Sequence, residues 1–282
     1  MTTKAVVYVE KGKAAIQEVP IPKLRDDYIL VKVNAIGVNP TDWKHIDFAL
    51  AEAGSRIGCD YAGIVKQSAI KIPDNVNDEE AATLGISTVT VGQGLYRTLG
   101  LPLPTEATKD RQYILIYGGS TATGIFGIQF AKLSGLKVVT TASPRNFDYL
   151  KSLGAEAVFN YNSPTVAGDI RNTEAGKYAV INPVDKEELV AINPNINGPH
   201  ATLMYSIFGE RFFKGMEFPP VPEEFEFAKT FWEIARQLLK QGKLKVPRTI
   251  VNKGGNGFVG IIKGLDKLRA NNVSARKLVY TL

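Results

Sequence analysis

Residues Tyr113–Gly135, YILIYGGSTATGIFGIQFAKLSG, constrain this chain more tightly than any other stretch. Four β-prone apolar residues, Tyr113–Ile116, run into a turn of small residues. A segment with helical apolar periodicity follows, with Phe126, Phe130 and Leu133 at i, i+4 and i+7. The turn Gly118–Gly124 (GGSTATG) lets backbone approach a phosphate without Cβ interference. The helix after it would aim its free N–H groups and positive dipole end at that phosphate. Its glycines do not spell G-x-G-x-x-G, so the turn alone also fits an ordinary strand–turn–helix.

The residues downstream favour a nucleotide. Leu136–Thr141 (LKVVTT) reads as a second buried strand and completes a βαβ unit of roughly 30 residues, the size expected of a nucleotide-binding one. NAD-binding versions carry an Asp or Glu at the end of that strand. This chain has Ser143, Pro144, Arg145 and Asn146 there, and its first acid, Asp148, lies a turn into the next helix. A carboxylate would repel a 2′-phosphate, whereas an arginine can bind one bidentately. NADPH is therefore the expected cofactor, the plain alternative being that Arg145 is a solvated helix-start residue.

At 282 residues the chain has room for one large or two medium domains. A hydrophobic content of 44% and a charged content of 22% are those of an ordinary globular protein. No run of 18 or more apolar residues suggests a membrane span, and the N-terminal residues move straight into strand-like alternation without an apolar signal core. The single cysteine, Cys59, rules out an internal disulfide framework and fits a reducing compartment, so a cytoplasmic location is expected. The net charge of +6 comes from scattered Lys and Arg without a basic block, which argues against nucleic acid as a partner.

Residues 4–38 read as short strands, and Thr41–Asp47 reads as a short helix with Thr41 or Asp42 near its cap. Gly58–Val65 is a further small-residue strand. From Asp78, a candidate cap, the text becomes helical through VTVGQGLYRTLGL. Residues 146–161 give another helix and strand, and Pro222–Gln241 is strongly amphipathic. The pattern predicts an α/β chain: a β-rich domain at 1–80 joined by 247–282, and a Rossmann-type doubly wound domain at 81–246.

The blocks VNPTDWK, IGCDYAGIV, KIPDNV, GISTVTVGQGLYRTLGLPLP, YGGSTATGIFGIQFAKLSG, TASPRNFDYLKSLGAEAVFNY, SIFGE and VSARKLVY span nearly the whole chain. In this order they resemble the zinc-independent medium-chain dehydrogenase/reductases, in particular the fungal trans-acting enoyl reductases that serve polyketide synthases. The resemblance implies a GroES-like first domain and a set of cofactor contacts. Thr41, Asp42, Trp43 and Lys44 would lie at the nicotinamide side, and Ser120, Thr121, Ala122 and Thr123 at the pyrophosphate. Ser143, Pro144, Arg145 and Asn146 would hold the 2′-phosphate, with Tyr161 beside the adenosine end. Ile181, Asn182, Val273 and Ser274 would complete the set. It implies that Gly85, Ile86, Ser87, Thr88, Val89, Thr90, Val91 and Gly92 face the substrate, together with Tyr205, Ser206, Ile207, Phe208 and Gly209.

A catalytic zinc generally needs three protein ligands. The chain has only Cys59, His45 and His200 to offer beside its carboxylates, and GCDYAG stands where zinc-dependent relatives carry a His-Glu pair. No metal is expected, Cys59 and Asp60 read as packing and turn residues, and His45 reads as exposed. Without metal, the chemistry implied is hydride transfer from NADPH to an activated carbon–carbon double bond, most simply an enoyl thioester of polyketide or related secondary metabolism. Lys44 would stabilise the cofactor ribose or the enolate, and Thr88 or Ser87 would donate to the carbonyl. Some related reductases place a proton-donating tyrosine after this block. Here Phe48 stands in that stretch and no tyrosine comes before Tyr61, which leaves the donor open.

The expected partners are a small or carrier-bound enoyl substrate and a polyketide synthase, with the chain itself monomeric or homodimeric. A quinone or enone oxidoreductase on the same scaffold is the alternative, and so is a catalytically impaired NADPH-binding partner of a synthase. The last gains weight from two gaps. After Val65 only Lys66–Ile70 precede the KIP where relatives carry several strands. Residues 170–176 lead almost directly into KYAVINPV where relatives carry a central strand and helix. The comparison thus predicts a chain shortened internally, or broken in its Cα spacing of about 3.8 Å somewhere in 65–69 or 169–178.

Overall fold

The computed structural model describes residues 2–25, 28–65, 72–110, 112–166, 177–180, 187 and 197–282, with backbone alone at 177–180 and 197–199. Both junctions at which shortening is expected, 66–69 and 169–176, lie outside these residues. The chain divides into two compact units, Met1–Ile86 with Gly209–Pro222 and Val246–Leu282, and Ser87–Phe208 with Glu223–Lys245.

The first unit opens with an antiparallel hairpin of β1 (Thr2–Glu10) and β2 (Lys13–Pro20), turned at Gly12, whose φ of +78° suits glycine. A four-stranded sheet follows in the order β12–β13–β3–β4. It is built from β3 (Val31–Gly37), β4 (Asp60–Val65), β12 (Thr249–Val251) and β13 (Lys277–Thr281). Only β12 and β13 run parallel; β13 pairs antiparallel with β3, so the C-terminal strand completes the sheet begun by the N-terminal residues. Helices α1 (Pro40–Asp47) and α7 (Gly257–Arg269) close the core of Val6, Tyr8, Val38, Ile46, Ile261, Leu265, Leu278 and Tyr280. Tyr280 is fully buried against α7, where a Cβ on Gly264 would lie 2.6 Å from its ring. Two glycines one turn apart, Gly260 and Gly264, thus make the groove that admits the ring. A small hairpin of β10 (Phe212–Phe213) and β11 (Glu217–Phe218) also belongs to this unit.

In the second unit β5 (Tyr113–Ile116), β6 (Lys137–Ala142) and β7 (Ala155–Asn160) form a parallel sheet in that order. The crossovers are α4 (Ala122–Leu133) and α5 (Phe147–Leu153), the latter ended by Gly154 at φ +116°. Residues Gly124–Ala131 of α4 are all buried, the mark of a helix covered on every side. α6 (Pro222–Lys240) presents Phe231, which packs with Tyr96, Phe130 and Phe227 at ring-centroid distances of 5.3, 5.0 and 5.7 Å. β8 (Lys177–Val180) and β9 (Asn197–Ala201) form a separate parallel pair.

Thr41 and Asp42 do lie beside the cap of α1, which is Asn39, and two other local expectations are corrected. Asp42 sits at the third helical position, and its carboxylate accepts the Asn39 N–H at 2.7 Å. The short α2 (Asp78–Ala81) is capped by Asn77 rather than Asp78, in a reciprocal pair with Glu80 at 2.8 and 3.1 Å. The helix expected through VTVGQGLYRTLGL is α3 (Gly85–Gly92) followed by a π-helical stretch at Gln93–Thr98. Gly92 meets Phe231 at that junction, where a Cβ would come within 2.5 Å of the ring. Among the described residues no helix is long and apolar enough to cross a membrane.

Candidate functional site

The parallel order of β5, β6 and β7 places the segments after their C-terminal ends on one edge of the sheet, the edge at which open α/β sheets take ligands. After β5, Gly118 and Gly119 donate their N–H groups to the Thr141 hydroxyl and carbonyl, both at 2.9 Å, so the loop is stitched to the end of β6. Gly119 admits no Cβ, which would sit 2.2 Å from Thr140 Oγ1. A Cβ on Gly124 would sit 2.4 Å from the Gly118 carbonyl oxygen. Thr121 caps α4, accepting the Gly124 N–H at 3.0 Å and donating to the Gly118 carbonyl at 2.9 Å. That leaves the N–H groups of Ala122 and Thr123, at the positive end of the helix, without a partner among the described residues. A loop this tight, ending in free donors, fits a pyrophosphate.

Past β6, Pro144–Asn146 form a single 3-10 turn. Arg145 is exposed there and makes no ion pair or hydrogen bond among the described residues, while Asn146 is buried. The Ser143 and Tyr161 hydroxyls meet at 3.0 Å, joining the ends of β6 and β7. The fold therefore gathers Ser120–Thr123, Ser143–Asn146 and Tyr161 on a common edge. Ile181 and Asn182 lie outside the described residues.

Elsewhere in the second unit, Thr88 of α3 is fully buried and its hydroxyl has no hydrogen-bond partner among the described residues. Ser87 and Val89–Gly92 are buried with it. Val89 packs with Ile207 and Ala228, which brings the turn Met204–Phe208 onto α3; Ser206 Oγ accepts from Gln93 Nε2 at 2.9 Å. Phe208 remains exposed. The two blocks expected to face a substrate are thus neighbours, though most of α3 points into the core.

In the first unit α1 carries Thr41, Asp42, Trp43 and Lys44. Asp42 is 3% exposed, and burial pushes its carboxyl up to about 7; the Asn39 N–H opposes the shift and the neighbouring Asp60 adds to it. Among the described residues Asp42 Oδ1 and Trp43 Nε1 are buried without a geometric hydrogen-bond partner, the Cys59 thiol being near enough to Asp42 to ease its ionisation. Lys44 is half-buried with its ammonium 6.0 Å from the centre of the Trp43 ring. His45, expected to be exposed, is half-buried instead. Its Nδ1 bonds the Thr41 carbonyl at 2.8 Å, and burial lowers its pKa. Val273 packs on the unit's core and Ser274 is half-buried.

Sequence reasoning missed the polar hub of this unit. Asp60 is a buried ion-pair residue rather than a turn residue. Its carboxylate binds the Lys277 ammonium, the Asn39 amide at 3.0 Å and the Ile86 N–H at 2.7 Å, and Lys277 also reaches the Thr83 carbonyl at 3.3 Å. The signal available was a lysine opening the otherwise apolar strand KLVYT. With both oxygens of Asp60 engaged, it is poorly placed to ligate a metal. Among the described residues no three His, Cys, Asp or Glu side chains cluster as metal ligands.

No protein-family model matches the chain. Curated relatives do. A trans-enoyl reductase of Alternaria alternata, ACTTS2, is 34% identical over 345 aligned positions covering 100% of this chain and 99% of its own. The trans-enoyl reductase resD of Aspergillus sclerotiorum is 32% identical, covering 98% and 99%. Against the 345 positions of the Alternaria alignment this chain supplies 282 residues, so at least 63 are filled by the relative alone, and end-to-end coverage puts most of them inside the chain. Among solved structures, the quinone oxidoreductase of Coxiella burnetii superposes with a TM-score of 0.74 at 18% identity over 100% of both chains. The CurK enoyl reductase does so with 0.73 at 16%, over 99% of this chain and 98% of its own. These likenesses show the fold, an α/β Rossmann-type architecture. The identities over essentially whole chains show more: this protein is an oxidoreductase and belongs to the trans-enoyl reductase family.

Proposed function

We propose that this chain reduces the activated carbon–carbon double bond of an enoyl thioester with NADPH, without a metal, in polyketide or related secondary metabolism. The observation that carries the cofactor choice is Arg145, a guanidinium with no ion pair or hydrogen bond among the described residues, at the edge where open α/β sheets take ligands, with no carboxylate at the end of β6. Its planar fork suits a 2′-phosphate; the Ser143–Tyr161 hydroxyl pair suits the ribose beside it, and the Ala122 and Thr123 N–H groups suit the pyrophosphate. When bound, the cofactor supplies the hydride that adds at Cβ of the substrate. The chain's own task is then electrostatic. The Thr88 hydroxyl, fully buried and without a hydrogen-bond partner among the described residues, is proposed to donate to the carbonyl on which negative charge develops, and the Lys44 ammonium to stabilise that charge or the cofactor ribose. In this reading the residues 1–80 with 247–282 serve substrate and catalysis, and 81–246 bind the cofactor, in a cytoplasmic monomer or homodimer serving a polyketide synthase.

A second reading rests on the 63 aligned positions that this chain lacks: an NADPH-binding partner of a synthase with impaired catalysis. NADPH consumption with a crotonyl-type thioester, measured beside a quinone, separates the two. Turnover of the thioester supports the reductase, turnover of the quinone alone supports a general quinone reductase, and NADPH binding without turnover supports the partner. Arg145→Ala is expected to weaken NADPH at least tenfold and leave NADH nearly unchanged; equal losses for both would refute the 2′-phosphate assignment.

A further inference from the structure

Charge is shared unevenly along this chain. Residues 246–282 hold seven Lys and Arg against one acid, Asp266, a net +6 that equals the charge of the whole chain. Folding spends part of it inside the first unit. Lys277 is committed to Asp60, and Arg269 to Asp47 at 2.8 Å and Asp266 at 2.6 Å. Arg248 and Arg276 stand just before β12 and β13, at the opposite end of those parallel strands from Lys253.

Three lysines remain, and the fold gathers them. Ile261 and Leu265 take the inner face of α7, which leaves Lys263 and Lys267, one helical turn apart, on its outer face. Lys253 lies in the turn that leads into this helix. A Cβ on Gly254 would lie 3.7 Å from Lys263 Cδ and 3.6 Å from Lys267 Cε, and Lys263 Nζ donates to the Gly254 carbonyl at 3.1 Å. None of the three makes an ion pair among the described residues. Val259, one turn before Lys263 on the same face, is 59% exposed. The turn is also fixed in advance. Tyr280 donates its hydroxyl to the Lys253 carbonyl at 3.2 Å, and Asn252 exchanges hydrogen bonds with Thr281 at 2.9 and 3.0 Å.

Ammonium groups held together in this way repel one another, and facing carboxylates relieve the repulsion. Acidic lipid surfaces are generally bound by clusters of about four to eight Lys or Arg, and nucleic acid by a wider basic face still. Three lysines around one exposed valine match something smaller, an acidic amphipathic helix. We infer that this face of α7 docks the acidic helix of the carrier domain that presents the enoyl thioester. Lys253, Lys263 and Lys267 face its carboxylates, and Val259 meets an apolar residue between them. The inference rests on the enoyl-reductase reading above and names the partner that delivers its substrate. Exposed charge pairs of this kind act mainly on encounter and are screened by salt, so the effect falls on KM for carrier-borne substrate and leaves kcat alone.

The test follows NADPH oxidation with two substrates: crotonyl-pantetheine, and the same crotonyl group loaded on an excised fungal polyketide-synthase carrier domain whose recognition helix is acidic. Wild type is compared with Lys253→Glu/Lys263→Glu/Lys267→Glu. A control, Lys4→Glu/Lys11→Glu/Lys23→Glu, changes the net charge equally at exposed lysines elsewhere in the first unit. All three proteins are required to have matched melting temperatures. In wild type, KM for the loaded carrier should lie about tenfold or more below that for crotonyl-pantetheine, and should rise between about 50 and about 300 mM salt. The α7 variant should lose that advantage and its salt dependence, with kcat on crotonyl-pantetheine unchanged; the control should keep both. Equal losses in the α7 variant and the control overturn the docking face. Wild type that binds phosphatidylserine vesicles or duplex DNA through these lysines, with no preference for the carrier, overturns the choice of partner. Wild type active on crotonyl-pantetheine but indifferent to the carrier overturns the docking alone. A wild type inert on both substrates overturns the enoyl-reductase reading and the docking with it.

Discussion

Asp42 shows what the site asks of single residues. A carboxyl 3% exposed is held at about 7 by burial against its ordinary 3.8. Folding therefore favours the protonated form. The stability this contributes is complete below about pH 4 and is lost as pH rises through 7, above which the ionised group costs on the order of 4 kcal/mol. Asp42→Asn keeps an oxygen for the Asn39 N–H and cannot ionise. Its stability relative to wild type, from urea unfolding, is expected to improve steadily from pH 4.5 to pH 8, and a pH-independent difference would contradict the assignment. Asp60 lies beside it with a different solution, since a lysine, an amide and a backbone N–H satisfy its charge. Asp42 was legible as part of the NPTDWK block. The Asp60–Lys277 pair was not, because its members stand 217 residues apart and only sheet register brings them together.

At the scale of elements, periodicity and turn chemistry did most of the work. The strand–loop–helix at 113–133, the helix at 147–153 ended by Gly154, and the amphipathic helix at 222–240 follow from local pattern. The π-helical stretch after Gly92 did not, because it answers to the close approach of Phe231 from a distant helix. The loop proposed to hold phosphate joins both kinds of information: its glycines are visible in the sequence, but the reason for Gly124 is its contact with the Gly118 carbonyl. Gly124→Ala must open the loop by roughly an ångström to relieve a contact under 3 Å. NADPH affinity, read by fluorescence titration, is expected to fall more than tenfold while the far-ultraviolet circular dichroism stays native. Retained affinity would show that the loop does not cradle the phosphate.

For the whole molecule, the shortened length matters most. A chain lacking 63 of its relative's aligned positions has less surface to bury, and small losses of this kind bear on a margin of a few kcal/mol. A ligand bound by the native state alone should then be readily visible in stability. NADPH at about 100 times its Kd should add about 2.7 kcal/mol and raise the melting temperature, with NADH at equal concentration giving clearly less. Equal shifts for both would count against Arg145 as the discriminating group.

The family and the α/β class could be read before any coordinates, as could the loop proposed here to hold a phosphate, because glycine turns, helical periodicity and an arginine in place of an acid are local facts that survive in a linear text. Which donors remain unsatisfied, which carboxylate is driven toward neutrality, and which is held by a buried lysine depended on the folded chain. Burial is set by residues far apart in sequence, and Asp60 meets Lys277 only because β4 and β13 flank β3 in one sheet.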